Sequence, residues 1–381
     1  MKGFGDVNEE VAHAARSVAR AACLGDAAAG KTADVAAALA AAVDVFVRND
    51  APPCDHAQDR ARGGVIALYA HVASAHFADD ASPEREPALK RAMAAFRTLH
   101  DGGCYIAAKE IAPFARTLPP VVANAMAAAA KTTALTAADA RDRRAAAAGL
   151  AGIVAGLASS ERAVADMKLV DAVVDALAAK KDPIARAGAC ALYAHLCRTA
   201  GRAFEPFAID LASKMFIAQG DQSPEVREAA DAAQAAVVKA LPLTAMKLLA
   251  PALVEAMTHK TWQAKCGALT VCGDLASRVP AYFMRNLPEI FPAFLECVFD
   301  THPKVSHCAG RVMRPICSCV KNAEIVGMLD LIIEAIREPQ SQTESCLDRL
   351  METTFVNSMD APSLAGAFYT KTFHPPLGFN I

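Results

Sequence analysis

Apolar residues return along this chain at intervals of three and four, in stretches broken by short polar turns. Leu248, Leu249, Leu253 and Met257 form one such stripe, and Ile290, Phe291, Phe294 and Leu295 form another. Spacing of i, i+3, i+4 and i+7 gathers these side chains on one side of a 3.6-residue helix. The turns between stretches carry helix punctuation: Lys181-Asp-Pro183, Asp221-Gln-Ser-Pro224 and Asp300-Thr-His-Pro303. Proline ends one helix or fills the first turn of the next, where its missing N–H costs nothing. Alternation of β-branched and polar residues is scarce, so helices are expected and strands are not.

The stretches repeat. Ala67-Leu-Tyr-Ala-His71 recurs unchanged as Ala191-Leu-Tyr-Ala-His195, each five residues beyond an arginine, Arg62 and Arg186. The copies stand 124 residues apart, three periods of about 41. Intermediate units open on Arg144, Arg227 and Lys265, with later ones at Lys304 and at Thr343-Glu-Ser-Cys-Leu347. A first helix, a polar turn and a second helix begun by Arg or Lys make up each unit. One such hairpin cannot bury its apolar stripe alone, and stacked neighbours make the core continuous. The period lies in the HEAT/armadillo range, so the expected fold is all-α, an α-α superhelix of eight or nine hairpins. The repeat is degenerate before residue 60 and around Asp101-Gly-Gly103. Ala51-Pro-Pro53 and Ala81-Ser-Pro83 read as inter-helix loops.

Composition sharpens this picture. Of 381 residues, 54% are apolar and 21% charged, which suits a folded chain with a large core. Alanine runs at Ala127–Ala130 and Ala145–Ala148 favour helices that approach closely. A net charge of −2 gives no global attraction to nucleic acid or membrane, so any such contact must rest on a local patch. No run of apolar residues is long enough to span a bilayer, and the acidic start is no signal peptide. Membrane and DNA are not expected as partners. Twelve scattered cysteines show no zinc spacing, Cys317-Ser-Cys319 being the closest pair, and read as buried thiols of the cytoplasm.

Candidate chemistry is sparse. Gly25-Asp-Ala-Ala-Ala-Gly30-Lys31-Thr32 satisfies G-x-x-x-x-G-K-[ST], but the segment before it is helical in period, and a phosphate-cradling loop needs a strand there. It reads as an inter-helix turn. His302 and His307 lack the spacing of a metal pair, and His71 and His195 follow the repeat as structural residues. No nucleophile or paired-carboxylate motif stands out, so neither catalysis, cofactor nor metal is expected. The recurrent Arg/Lys has two readings: a ladder pairing Arg186 and Arg227 with turn acids such as Asp182 and Asp221, or a basic edge. Position favours the ladder. The window 253–321 is more suggestive, with eight cations (among them Arg278, Arg285 and Lys321) against five acids. Lys260, Lys265, Lys304, Arg311 and Arg314 are its candidate partner-binding residues.

Several stretches carry a resemblance: Gly201-Arg-Ala-Phe-Glu-Pro-Phe207, Gly220 to Ala230, Lys260-Thr-Trp-Gln-Ala-Lys265, Leu287-Pro-Glu-Ile-Phe-Pro292, Asp300-Thr-His-Pro-Lys-Val305 and Thr353 to Ala365. Together they resemble the central HEAT region of the general control non-derepressible 1 translational activator family, itself similar to the HEAT domain of elongation factor 3. On that basis residues 1–140 are degenerate N-terminal repeats, 141–365 are the repeats matching the elongation factor 3-like region, and 366–381 form a divergent tail. The resemblance implies a non-catalytic scaffold that binds ribosomes with an ATP-binding-cassette partner and regulates the kinase of initiation factor 2 in the amino-acid starvation response. The family's kinase-docking segment has no counterpart here, and Gly366 to Ile381, with His374-Pro-Pro376, leaves the family's pattern without the expected next hairpin, so the chain reads as a fragment or a truncated relative. A cargo or assembly adaptor, of the transport or tubulin-binding TOG type, is the alternative, given Trp262 and Lys260 beside an inter-helix turn.

Overall fold

A computed structural model describes residues 15, 17–22, 32–49, 55–76, 84–157, 160–240 and 245–319. The described residues are helical throughout, with no strand among them. After a short helical stretch at 17–22, the helices are α1 (Thr32–Asn49), α2 (His56–His76), α3 (Arg85–Ala94, continued by a 3-10 turn Ala95–Thr98) and α4 (Asp101–Arg116). Next come α5 (Pro120–Thr136), α6 (Ala140–Gly156), α7 (Ser160–Asp166), α8 (Leu169–Ala178) and α9 (Pro183–Thr199). The series ends with α10 (Glu205–Ala218), α11 (Pro224–Ala240), α12 (Met246–Met257), α13 (Trp262–Arg278), α14 (Pro280–Val298) and α15 (Pro303–Cys319). The expected repeat at Thr343–Leu347, the tail 366–381, the G-x-x-x-x-G-K-T stretch before α1 and the loops Ala51–Pro53 and Ala81–Pro83 lie outside the described residues.

Two compact units divide the chain: 1–211 with 222–240, and 212–221 with 241–381. In the first, the second helices of successive hairpins, α2, α4, α6, α9 and α11, pack each on the next, with α1, α5 and α8 against their partners. In the second, α12 packs on α13 and α14, α13 on α15, and α14 on α15. The described residues thus hold seven hairpins, whose second helices begin 38 to 45 residues apart. Three of those helices start on the expected prolines, Pro183, Pro224 and Pro303. Asp182 is the N-cap of α9, accepting from Ala185 N at 3.0 Å, and Asp300 accepts from His302 N at 2.8 Å in the turn before α15.

The twin pentapeptides are core. Ala67, Tyr69 and Ala70 in α2, and Leu192, Tyr193 and Ala194 in α9, are all but sealed from solvent. The Tyr193 hydroxyl donates to Ala208 O at 2.7 Å, which satisfies its one polar atom. Their histidines differ. His71 lies 3.4 Å from Glu110, whereas His195 is buried near Asp101 and Arg198, and burial drops its pKa to about 4. The expected stripe on α12 needs one correction. Leu249, Leu253 and Met257 are buried, but Leu248 is 58% exposed, since the four-residue row 249-253-257 faces inward and its neighbour rotates out.

The basic residue opening each second helix also needs one. Arg143, not Arg144, occupies the position of Arg186 and Arg227, the fourth of its helix. Arg143 donates to Ala137 O and Ala138 O at 2.6 and 2.8 Å, Arg186 to Ala179 O and Lys180 O at 2.8 and 2.9 Å, and Arg227 to Gln222 O at 2.9 Å. The guanidinium therefore satisfies carbonyls of the turn behind it, which the helix end leaves without partners. The ladder adds to this: Arg143 also pairs with Glu225, and Lys265 with Asp300 of the next turn at 2.6 Å. Arg144 instead reaches back to Leu99 O at 3.1 Å.

The degenerate unit at Asp101-Gly-Gly103 opens a regular second helix, α4. Its position-four counterpart in α2 is a carboxylate, Asp59, which is buried and accepts from His100 N and Gly103 N, both at 2.6 Å. One repeat thus caps the helix of the next. The glycines allow it: a Cβ on Gly63 would stand 2.6 Å from Gly103 O, and one on Gly103 would stand 2.6 Å from the Asp59 carboxylate.

Candidate functional site

The candidate residues of the window 253–321 gather on three elements of the second unit. These are the turn from α12 into α13, the turn from α14 into α15, and the outward face of α15. Pro303 starts α15, and Asp300 accepts from His302 N in the turn before it, which fixes that turn. Lys265 reaches across from α13 to Asp300 at 2.6 Å, and that hydrogen bond raises the lysine's pKa. Burial alone would raise the pKa of Asp300. Lys265 and the His302 N–H reverse this and hold it below the usual carboxylate range. The carboxylate stays ionised and ties the two turns together.

On this anchored pair of turns lies a stacked group. The His302 ring lies on the Trp262 indole at 5.1 Å and 16°, and the Lys304 ammonium stands 4.3 Å from the indole centroid. His302 Nδ1 accepts from Lys304 N at 3.3 Å, which makes it the acceptor tautomer at that nitrogen. In the preceding turn, His259 Nδ1 lies 2.8 Å from Thr261 Oγ1, while Lys260 projects exposed. Burial, then the neighbouring Lys260 charge, lower the His259 pKa.

Along α15 beyond Pro303 the exposed residues are Lys304, His307, Arg311, Arg314 and Ser318, spaced three and four apart on one face. Val305, Cys308, Ala309, Val312, Met313, Ile316 and Cys317 fill the other, and the helix carries no Asp or Glu. From Lys304 to Arg314 the stripe runs about 15 Å at 1.5 Å per residue. The structure therefore brings Lys304, Arg311 and Arg314 together, sets Lys260 on the neighbouring turn, and engages Lys265 with Asp300. Lys321 lies outside the described residues. His307 completes the stripe and was legible in the same i, i+3, i+7 spacing. The thiols of Cys266 and Cys308 beneath it have no pattern in the sequence that would have announced them.

Nothing in this arrangement resembles a reaction centre. Among the described residues no three His, Cys, Asp or Glu side chains converge to hold a metal ion, and no helix is long and apolar enough to cross a membrane. What the geometry offers is a row of cations beside an indole, on a rigid helix.

Hairpins recurring every 38 to 45 residues, with second helices stacked in order within each unit, define the class: a HEAT-repeat protein. Residues 143–313 match the family described as the EF3 N-terminal HEAT repeat. The chain is 30% identical over 326 residues to the human protein named stalled ribosome sensor GCN1, an alignment covering 84% of this chain and 12% of that protein. It is 30% identical over 216 residues to the eIF-2-alpha kinase activator GCN1 of Saccharomyces cerevisiae, covering 57% and 8%. This chain is thus a HEAT-repeat protein of the GCN1-like, EF3-like family, and it spans about an eighth or less of those relatives. A solved structure of a microtubule polymerase TOG domain array is 12% identical, with a TM-score of 0.44 over 92% of this chain and 81% of that one. No functional reading rests on a likeness of that size.

Proposed function

We propose that this chain is a non-catalytic HEAT scaffold that docks on ribosomes in the cytoplasm, in the service of translational control through the initiation factor 2 kinase. The contact is an RNA backbone laid along Lys304, His307, Arg311 and Arg314 of α15, with Lys260 on the adjoining turn and Lys265 holding the edge in shape through Asp300. The observation that carries this reading is the acid-free cationic stripe on α15, at one end of which Lys304 and His302 lie against Trp262. The names of the curated relatives, a stalled ribosome sensor and a kinase activator, point the same way, and the ATP-binding-cassette companion follows from the resemblance alone.

The test is co-sedimentation with purified ribosomes across a salt series. Each Lys or Arg that neutralises a phosphate contributes roughly 0.7–0.9 to the slope of log affinity against log salt. Replacing Lys260, Lys304, Arg311 and Arg314 with Gln together should lower that slope by about 3 and weaken binding at every salt concentration. Lys214, Lys239, Lys247 and Arg278, also exposed, provide a control with the same change in net charge. Equal loss in both quadruple variants would reduce the effect to net charge, and the proposed edge would be wrong. So would ribosome binding by the first variant that matches the unaltered chain. Purified tubulin in the same assay separates the adaptor alternative, which would show saturable binding there.

A further inference from the structure

Cys266 on α13 and Cys308 on α15 belong to consecutive second helices, and each sulfur lies against the main chain of the other helix. Cys266 Sγ is 3.5 Å from Lys304 O, and Cys308 Sγ is 3.6 Å from Cys266 O. The two sulfurs thus lie in the same seam, one from each helix. Side chains that each touch the opposite backbone belong to helices running close enough for the short Cα separation a disulfide needs. Further along the same two helices, a Cβ on Gly273 would stand 3.1 Å from Val312 Cγ1, so the seam is narrow.

The pair differs from the other described cysteines. Cys104, Cys190, Cys197, Cys272, Cys297, Cys317 and Cys319 are buried, and those of them with a resolved shift have thiol pKa values raised by burial. Cys266 is only partly buried and opens the seam to solvent. The Arg311 guanidinium donates to the Cys308 sulfur at 3.9 Å, and Thr270 Oγ1, whose proton goes to Cys266 O at 2.9 Å, stands 4.0 Å from it. The neighbouring Cys266 and the Arg311 charge outweigh burial and lower the Cys308 pKa, while that of Cys266 is raised. One sulfur lies beside a cation and the other is partly open to solvent, the arrangement of a reactive and a resolving cysteine.

We propose that Cys266 and Cys308 are a redox modification site, at which a hydroperoxide closes a disulfide that staples α13 to α15 beneath the cationic stripe. The Cys308 thiolate attacks the peroxide oxygen; the O–O bond breaks and the departing alkoxide or hydroxide takes a proton, leaving Cys308 as a sulfenic acid. The Cys266 sulfur then attacks the Cys308 sulfur. Its proton leaves with the displaced hydroxyl as water. Two thiols are oxidised by two electrons and one hydroperoxide is reduced to an alcohol, or to water when it is hydrogen peroxide. Closing the bond removes the thiolate from Arg311, one of the exposed cations of α15. This inference stands on the thiol geometry and holds whether or not the stripe binds a ribosome.

The full chain, treated with hydrogen peroxide, capped with N-ethylmaleimide and digested without reduction, tests it by mass spectrometry. The expected product is a cross-linked peptide pair containing Cys266 and Cys308, lighter by two hydrogens than its halves and released by dithiothreitol. Cys266→Ser should lose that species and leave Cys308 as the sulfenic acid, which dimedone traps; Cys308→Ser should lose both. Wild-type protein that stays fully alkylated at both sites overturns the proposal, as does a bridge from either residue to Cys297. The wild-type map decides the matter even if a variant folds poorly.

Discussion

Replacing Asp59 with alanine should loosen α4 at its first turn while leaving distant repeats intact. The Asp59 carboxylate spends one oxygen on His100 N and the other on Gly103 N, each at 2.6 Å, and the residue is 1% exposed. Hydrogen bonds to a charged group contribute roughly 1.5–3 kcal/mol each, so losing two costs about 3 kcal/mol at the least. No side chain is in place to substitute, since the N-cap residue His100 makes no capping hydrogen bond of its own. Asparagine offers only one acceptor oxygen and turns an amide N–H₂ toward the second donor. Asp59→Asn should therefore fall about midway, near 1.5 kcal/mol.

In an array of repeats the loss stays local, so hydrogen exchange is the appropriate readout. A cost of about 3 kcal/mol speeds exchange roughly a hundredfold at tenfold per 1.4 kcal/mol. That acceleration should appear at His100, Gly103 and the first turn of α4, with α13 and α15 unchanged. Protection at His100 and Gly103 that survives Asp59→Ala would refute the cross-repeat cap. An asparagine variant indistinguishable from wild type would refute the two-oxygen account even if the alanine variant behaved as expected.

Two further outcomes follow from packing and burial. Gly188→Ala sets a Cβ against the main-chain Ala134 O of α5, which cannot rotate away, so overpacking of roughly 1–3 kcal/mol should exceed the gain of at most ~1 kcal/mol in helix propensity and lower the thermal midpoint. His195, with a folded pKa of about 4 against 6.5 unfolded, stays neutral in the fold while the unfolded chain takes up a proton below pH 6.5. Stability should therefore fall as pH drops from 6.5 toward 4, by on the order of 1–3 kcal/mol, and His195→Leu should flatten that part of a urea-midpoint profile.

How much of this could be read in the sequence depended on which face of a helix carried the information. Buried stripes repeat because every hairpin must seal the same seam, so Ala-Leu-Tyr-Ala-His and the prolines at Pro183, Pro224 and Pro303 marked the second helices correctly. The unit at Asp101-Gly-Gly103 was obscured because its contacts reverse the usual chemistry. Asp59 stands where other repeats place Arg or Lys, and glycine replaces the apolar residues that make a stripe visible. Arg143 and Arg144 could not be told apart by type, only by which guanidinium meets the turn carbonyls. The Cys266–Cys308 pair was invisible because it joins two helices about 40 residues apart through main-chain proximity, which no spacing rule encodes.

The exposed faces explain why a net charge of −2 says so little about partners. Aligned from their first prolines, α11 and α15 place Glu225 opposite Lys304 and Glu228 opposite His307, while Val226 and Val305 are both buried. The hairpin constrains the inward positions to be apolar and leaves the outward ones free, so different repeats can carry opposite charge at no cost to the fold. Whole-chain charge averages over such faces and cancels them. The quantity that decides recognition by a polyanion is the charge of one helix face over about 15 Å, the stretch that lies within reach of a single bound strand. On α15 that face has cations and no acids. A scaffold made of such repeats acquires a binding edge by changing three or four outward residues, with the buried stripe, and hence the stability of the array, left as it was.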